Sequence, residues 1–260
     1  MDQGHMKAFF LNICSIVCLL TSSGCTTLDG PADPNDPLES YNRAIYKFND
    51  TFDTYLLKPV SQGYDTITPA PIQKGISNFF SNLDDVLVIV NDLFQLKLTQ
   101  AASDTGRFLI NSTLGLFGLI DWASDMGLEK HNEDFGQTLG YWGVPSGPYF
   151  ILPLIGPSTI RDATGFAVDE SYFDPIYKEV ENGYPVSSRH NESAVWTMTA
   201  IKAIDIRANL LKSEKVLDEA ALDRYVFLRE AYLQRRKHLV YDGKPPQDEP
   251  EFNESELFDE

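Results

Sequence analysis

The sequence has few cysteines, and it has none after residue 25. Its three cysteines are Cys14, Cys18 and Cys25. A chain processed before Cys25 would keep a single cysteine, so it could form no internal disulfide. A lone exposed thiol in an oxidising compartment is a liability unless it is chemically modified.

Long apolar runs are also missing from the sequence. After residue 25 no segment reaches the roughly 18 consecutive apolar residues that a transmembrane helix needs, so none is predicted. Shorter apolar stretches are nevertheless frequent for an acidic chain, at 86–90, 114–120 and 149–155. Burial in a core is the ordinary explanation for them, and partial immersion in lipid is the alternative.

Positive charge is scarce, because 21 Lys and Arg face 38 Asp and Glu, for a formal net charge of −17. Binding to nucleic acid needs a basic surface and is therefore excluded. Simple electrostatic adsorption to anionic lipid head groups is disfavoured for the same reason. Segment 247–260 alone has seven acidic residues and no basic one, and we interpret 243–260 as an acidic disordered tail.

Sequence signatures of catalysis are absent as well. Three histidines follow the N-terminal segment, namely His131, His190 and His238. They show no His-Glu-x-x-His spacing, so no metal site is expected. No Gly-x-Ser-x-Gly elbow, Walker loop or dinucleotide fingerprint occurs. Acidic pairs such as Asp84-Asp85 are more typical of a solvated surface than of a glycosidase site. We predict neither an enzyme nor a cofactor.

The N-terminus has the pattern of an exported lipoprotein. After a leader at 1–5, Lys7 supplies positive charge, and 8–20 forms a mostly apolar core too short to span a bilayer. Small residues then precede Cys25, and this junction resembles a bacterial lipobox, although Ser22 stands where Leu is usual. An ordinary secretory signal with an incidental cysteine is the alternative.

Lipid attachment at Cys25 would also remove the exposed thiol. Two or three acyl chains anchor a protein firmly to a membrane, whereas one binds only marginally. Thr26, in place of Asp, resembles the outer-membrane sorting pattern. We therefore expect a signal peptide at 1–24 and a lipidated spacer at 25–35.

The rest of the chain has mainly helical periodicity, and 36–242 is predicted to form a single domain. Asp36 is expected to cap a first amphipathic helix, with Pro37 at its first position, that ends before Pro59. Further helices are predicted from about 72 to 83, from about 85 to 97 and from about 99 to 112. Two closing helices are predicted at 194–211 and 217–240.

Segment 131–157 departs from this periodicity, with five glycines and four prolines among its apolar residues. This composition excludes a continuous helix, and the apolar residues exclude a polar linker. We predict a packed loop or hairpin, or one that lies against lipid. Ser158 is expected to cap a short helix that runs to about Val168.

Four charged residues stand in apolar surroundings: Arg107, Asp121, Arg161 and Asp162. A charge in such a place is costly unless it is paired or hydrated. For each of them a helix cap or an ion pair is the ordinary explanation. The alternative is that they line a path for an amphiphile, with the head group on the charges.

An ordered series of short motifs resembles the MlaA/VacJ outer-membrane lipoproteins along nearly the whole chain after Cys25. The matching motifs include Asp36-Pro37-Leu38-Glu39, Gly118-Leu119-Ile120-Asp121, Phe135-Gly136, Thr138-Leu139-Gly140, Gly147-Pro148-Tyr149, Leu152-Pro153, Arg161-Asp162 and Arg229-Glu230-Ala231-Tyr232. The resemblance implies an all-α fold: a ring-shaped bundle of amphipathic helices with a Gly/Pro-rich apolar hairpin or loop.

The resemblance also implies a function. Phospholipids misplaced in the outer leaflet would pass through an amphipathic channel to a periplasmic carrier protein, with a trimeric porin as a partner. On this basis Asp121, Arg161 and Asp162 are expected to contact head groups or line the channel. A membrane-contact or gating role is expected for Tyr149, Phe150, Ile151, Leu152 and Pro153. A periplasmic lipid-modifying hydrolase and a structural envelope tether are the alternatives.

Overall fold

The computed structural model describes residues 36–176, 188–220 and 223–246. Cys25, the signal peptide, the spacer at 25–35 and the tail from 247 lie outside the described residues. The helices are α1 (Glu39–Phe52), α2 (Lys58–Ile67), α3 (Ala70–Phe94), α4 (Leu98–Thr113), α5 (Trp122–Asp125), α6 (Phe135–Tyr141), α7 (Ile160–Val168), α8 (Ser188–Ala220) and α9 (Arg224–Val240). Two strands, β1 (Tyr149–Leu152) and β2 (Gly156–Thr159), pair as an antiparallel hairpin. A mostly helical fold with a hairpin is confirmed, while the ring shape stays a prediction.

Asp36 does not cap the first helix, which begins at Glu39 without a side-chain cap. The Asp36 carboxylate is buried and accepts hydrogen bonds from Asn42 Nδ2, at 3.1 Å, and from the Tyr225 hydroxyl. The capping prediction was wrong because both carboxylate oxygens take side-chain donors, one of them from the far end of the chain.

The first helix does not end before Pro59, contrary to the prediction. A π-helical turn, Asp53–Leu57, joins α1 to α2, and Pro59 lies in the first turn of α2. A proline removes one N–H donor and clashes with the carbonyl four residues earlier in an α-helix. The wider i→i+5 spacing of the π turn relieves that clash, so the helical backbone continues.

The third helix is longer than predicted. α3 runs without a break through the point near residue 84 where two helices were expected. No Gly or Pro lies there to interrupt the backbone hydrogen bonds, so the periodicity simply continues. The chain reverses between Phe94 and Leu98, where Leu96 has a φ of 60°, and α4 packs back against α3. In the described part of the chain, no helix is both long and apolar enough to cross a membrane.

Segment 131–157 contains a short helix as well as the hairpin. α6 includes Gly136 and is only seven residues long, so no continuous helix runs through the segment, but this short helix was not predicted. A Cβ on Gly165 of α7 would lie 2.2 Å from the Gly136 nitrogen. Because Gly165 has no side chain, α6 and α7 can pack closely at this point. The cap of α7 is Thr159, whose side chain accepts from Asp162 N at 3.2 Å, so the prediction of Ser158 was wrong by one residue.

The two closing helices meet later than predicted, between Ala220 and Arg224. Asp223 starts α9, because its side chain accepts hydrogen bonds from Tyr225 N and Val226 N. The predicted break near 212–216 contains no Gly or Pro, and the helix continues through it.

The polarity of the helices is inverted relative to a bundle in water. On α4 the exposed face carries Leu98, 66% exposed, and Leu109, 54% exposed. Its buried positions are Ala101, Asp104, Arg107 and Asn111. Among all described residues, buried polar and charged side chains outnumber buried apolar ones. Since apolar burial stabilises a fold in water, this pattern is typical of a protein whose outer surface contacts apolar surroundings.

Apolar residues do form one small core, where α1, α9 and the inner face of the hairpin meet. It contains Ile45, Tyr149, Ile151 and Tyr225. Of the three apolar stretches noted in the sequence, 114–120 is largely exposed, with Phe117 at 79%. Segment 86–90 is buried or half-buried on α3. Core burial therefore explains 86–90 but does not explain 114–120.

Candidate functional site

A cavity of about 790 Å³ lies between α1 with its π turn, the hairpin, α8 and α9. Its apolar lining includes Leu210, Phe227 and Leu228, and its hairpin wall includes Tyr149 and Ile151. A cavity of this size is in the range of small-molecule sites, which are mainly apolar with a few placed polar groups. The cavity is therefore the candidate functional site.

The polar groups of this cavity form ion pairs along one wall. Arg207 donates from Nε to Asp53 Oδ1 at 2.7 Å and from Nη2 to Asp53 Oδ2 at 2.8 Å. Its Nη2 also donates to Glu214 at 3.0 Å. One helical turn before Asp53, Asp50 lies 4.0 Å from Arg224. The hydrogen bonds from Arg207 to Asp53 raise the pKa of the guanidinium, which stays charged.

Two asparagines of α1 hold the open edge of the hairpin. The Asn42 side chain accepts from the Ile151 N–H at 2.9 Å and donates to the Tyr149 carbonyl at 3.2 Å. In the same way, the Asn49 side chain accepts from the Leu154 N–H at 2.8 Å and donates to the Leu152 carbonyl at 3.0 Å. Seven helical residues span about 10.5 Å, and three strand residues span about 10 Å. The spacing of the Asn42 and Asn49 carboxamides therefore matches the spacing of the backbone groups on β1, and the two side chains bond this edge as a neighbouring strand would.

The segment Tyr149–Pro153 has an inner and an outer side. Tyr149 and Ile151 are 2% and 3% exposed and form part of the cavity wall, while Phe150 and Leu152 are half-buried. Burial raises the pKa of Tyr149 to about 12, with a contribution from Asp36. The exposed apolar residues of the hairpin are Leu154 and Ile155, each 59% exposed. The predicted segment thus stopped one residue before the exposed tip.

Arg161 and Asp162 lie in a buried network rather than at the cavity. Asp162 Oδ1 accepts from Arg161 Nε at 3.0 Å and from Arg236 Nη2 at 2.9 Å, and Oδ2 accepts from the Tyr232 hydroxyl at 2.9 Å. Arg236 also pairs with Asp134, the cap of α6. Burial would raise the pKa of Asp134, but Arg236 holds it below its usual range. The network joins α6, α7 and α9.

Asp121 lies in a different part of the fold, as the cap of α5. Its carboxylate accepts from Ser124 N at 3.1 Å, from Asn111 Nδ2 at 2.9 Å and from the buried Arg107 at 3.3 Å. Burial alone would raise its pKa, but the hydrogen bonds from Ser124 and Asn111, together with Arg107, lower it to about 2. No described hydrogen bond or ion pair joins Asp121 to the Asp162 network.

Sequence reasoning missed the charged residues of the cavity. Neither Asp53 nor Arg207 was among the predicted site residues. The two are 154 residues apart in the chain, so no local pattern could pair them. The one available signal was an acidic pair one turn apart, Asp50 and Asp53, close to the aromatic residues Phe48, Phe52 and Tyr55.

Comparisons with known proteins agree with the fold. The family model described as MlaA lipoprotein matches residues 34–239. The Haemophilus influenzae intermembrane phospholipid transport system lipoprotein MlaA is 36% identical over 218 residues, 82% of each chain. The Escherichia coli K12 protein of the same name is 35% identical over 221 residues, 83% of each chain.

A solved structure from work on the structural basis for maintenance of bacterial outer membrane lipid asymmetry also matches. The TM-score is 0.65 at 34% sequence identity, and the match covers 79% of this chain and 98% of the solved one. Both the family model and the relatives cover most of the chain. The chain therefore belongs to the MlaA lipoprotein family.

Proposed function

We propose that this chain is an outer-membrane lipoprotein that takes phospholipids misplaced in the outer leaflet through an amphipathic path and passes them to a periplasmic carrier. The observation that carries the proposal is a mainly apolar cavity with ion-paired walls inside a protein of inverted polarity. An amphiphile needs both kinds of surface at once. The names of the relatives, which refer to intermembrane phospholipid transport, support the same function.

The exterior supports immersion in a leaflet. The loop after α4 and the start of α5 expose neighbouring apolar side chains: Leu114, Leu116, Phe117, Leu119, Ile120, Trp122 and Met126. Contiguous exposed apolar patches of this kind mark sites of contact with membranes or with other proteins. We place this patch in the inner leaflet, on the periplasmic side of the outer membrane, with a lipid on Cys25 as the anchor.

The partners of the proposal are a trimeric porin and a soluble phospholipid carrier, as the family resemblance implies. Head-group contact by Asp121, Arg161 and Asp162 stays a prediction. The burial of Asp162 among two arginines and a tyrosine favours a positioning role for it, since its oxygens are already occupied.

Filling the cavity tests the proposal. Ser213 lines the cavity and is exposed, so Ser213→Trp should narrow the path without disturbing a buried contact. Cells with this variant as their sole copy should accumulate outer-leaflet phospholipid, measured by labelling of surface amines. Ala200→Trp, at an exposed position of the same helix, is the matched control and should keep surface phospholipid low.

Normal lipid asymmetry in cells with Ser213→Trp at wild-type protein levels would contradict a path through this cavity. The hydrolase alternative is separated by incubating the purified chain with labelled phospholipid in detergent. Release of fatty acid or head group would favour the enzyme.

A further inference from the structure

The charged wall of the cavity has two ion pairs side by side. Asp50 and Asp53 are one turn apart on the same helix face, and each meets an arginine from another helix. Arg207 comes from α8 and Arg224 from the start of α9. The wall therefore presents two positive and two negative groups within about one helical turn.

These two pairs differ in how tightly they are closed. Arg207 is 13% exposed and holds Asp53 through two short hydrogen bonds. Arg224 and Asp50 are 37% and 49% exposed and lie 4.0 Å apart, and Arg224 also forms a side-chain hydrogen bond with Tyr46. An exposed pair with this separation contributes little to folding stability. The outer pair is thus a charged surface that a ligand can enter, while the inner pair is structural.

The charges of the lining nearly balance. Among the described lining residues, Glu214 adds a third carboxylate, whose partner Lys58 lies at 2.8 Å, so these residues carry no excess of positive charge. A head group with only negative charge could pair with Arg224 but would leave Asp50 without a positive partner. A head group that also carries an ammonium, two carbons from the phosphate, would meet both signs of charge.

We propose that this cavity selects zwitterionic phospholipids, with the phosphate on Arg224 and the ammonium on Asp50. The inference rests on the proposed function and names its substrate class. Selection follows from the difference between the two head groups, since a like charge next to a carboxylate is penalised while an ammonium is attracted.

Binding by the purified full chain in a neutral detergent tests this assignment. The probes are phosphatidylethanolamine and phosphatidylglycerol with the same labelled acyl chains. We expect phosphatidylethanolamine to be retained up to about fivefold more strongly, the size of one charged contact in a partly hydrated site. Asp50→Asn should bring the ratio close to one by weakening only phosphatidylethanolamine. Arg224→Gln should weaken both lipids.

Asp125→Asn changes an exposed carboxylate away from the cavity and serves as the matched control. It should keep the wild-type ratio. Equal retention of the two lipids by the wild type, or an unchanged ratio in Asp50→Asn, would overturn the selection while leaving lipid transport intact. Retention of neither lipid would overturn the proposed function itself.

Discussion

The Asp162 carboxylate shows what single residues do in this fold, because it accepts from Arg161, Arg236 and Tyr232 at once. Asp162→Ala leaves two buried guanidinium groups short of a partner. We expect the free energy of unfolding to fall by about 3–5 kcal/mol, measured by denaturant unfolding in detergent. Exposed Asp125→Ala should change it by less than about 0.5 kcal/mol. A stable Asp162→Ala that no longer clears outer-leaflet phospholipid would instead support head-group contact.

Asp92 gives the protein a pH dependence. Its burial, with Asp104 and Glu133 close by, raises its pKa to about 8 despite Lys97. An unfolded Asp has a pKa of about 3.9, so between these values the folded state binds the extra proton. Stability should therefore decrease as pH rises from about 4 to about 8.

Asp92→Asn keeps the shape of the protonated side chain and cannot lose a proton. Its melting temperature should exceed that of the wild type by a margin that grows from pH 5 to pH 8. Asp65→Asn, at an exposed position, is the control and should track the wild type at every pH. A constant margin for Asp92→Asn would show that Asp92 is already ionised in the folded protein.

At the scale of elements, the hairpin depends on α1 more than on its own two strands. Four residues per strand are marginal alone, and Asn42 and Asn49 bond the free edge at two separate places. Asn49→Ala should speed hydrogen exchange at the Leu154 amide and leave Ile151 slow. Asn42→Ala should do the reverse, so the two variants control each other. Equal acceleration at both amides would mean that the hairpin opens as one unit.

The element boundaries show where local pattern stops being sufficient. The helices themselves followed from periodicity, but the π turn before Pro59 and the α6 helix through Gly136 did not. In both cases a steric contact decides the backbone. Before Pro59 it is the contact between the proline ring and a preceding carbonyl, and in α6 it is the contact between the backbones at Gly136 and Gly165. Composition alone assigns such residues to helix ends.

The inverted polarity of the whole molecule leads to a test of immersion. The chain has three tryptophans, and Trp122, Trp142 and Trp196 are 43%, 60% and 67% exposed. In vesicles, tryptophan fluorescence should be quenched by lipids with brominated acyl chains and not by lipids without bromine. Double Trp→Phe variants that leave one tryptophan assign the quenching to a position. Unquenched fluorescence at all three positions would place these surfaces in water or against protein.

The sequence by itself determined the helical class and the family, because each depends on residues close together in the chain, while export and lipidation stay predictions. It also determined that the helices have apolar faces, but not whether those faces point to the interior or to the exterior of the protein. That was decided by tertiary structure, since buried or partly buried partners such as Asp36 with Tyr225 and Asp53 with Arg207 are far apart in the chain. Once these polar pairs occupy the interior, the apolar faces are left outside, and the cavity forms between them.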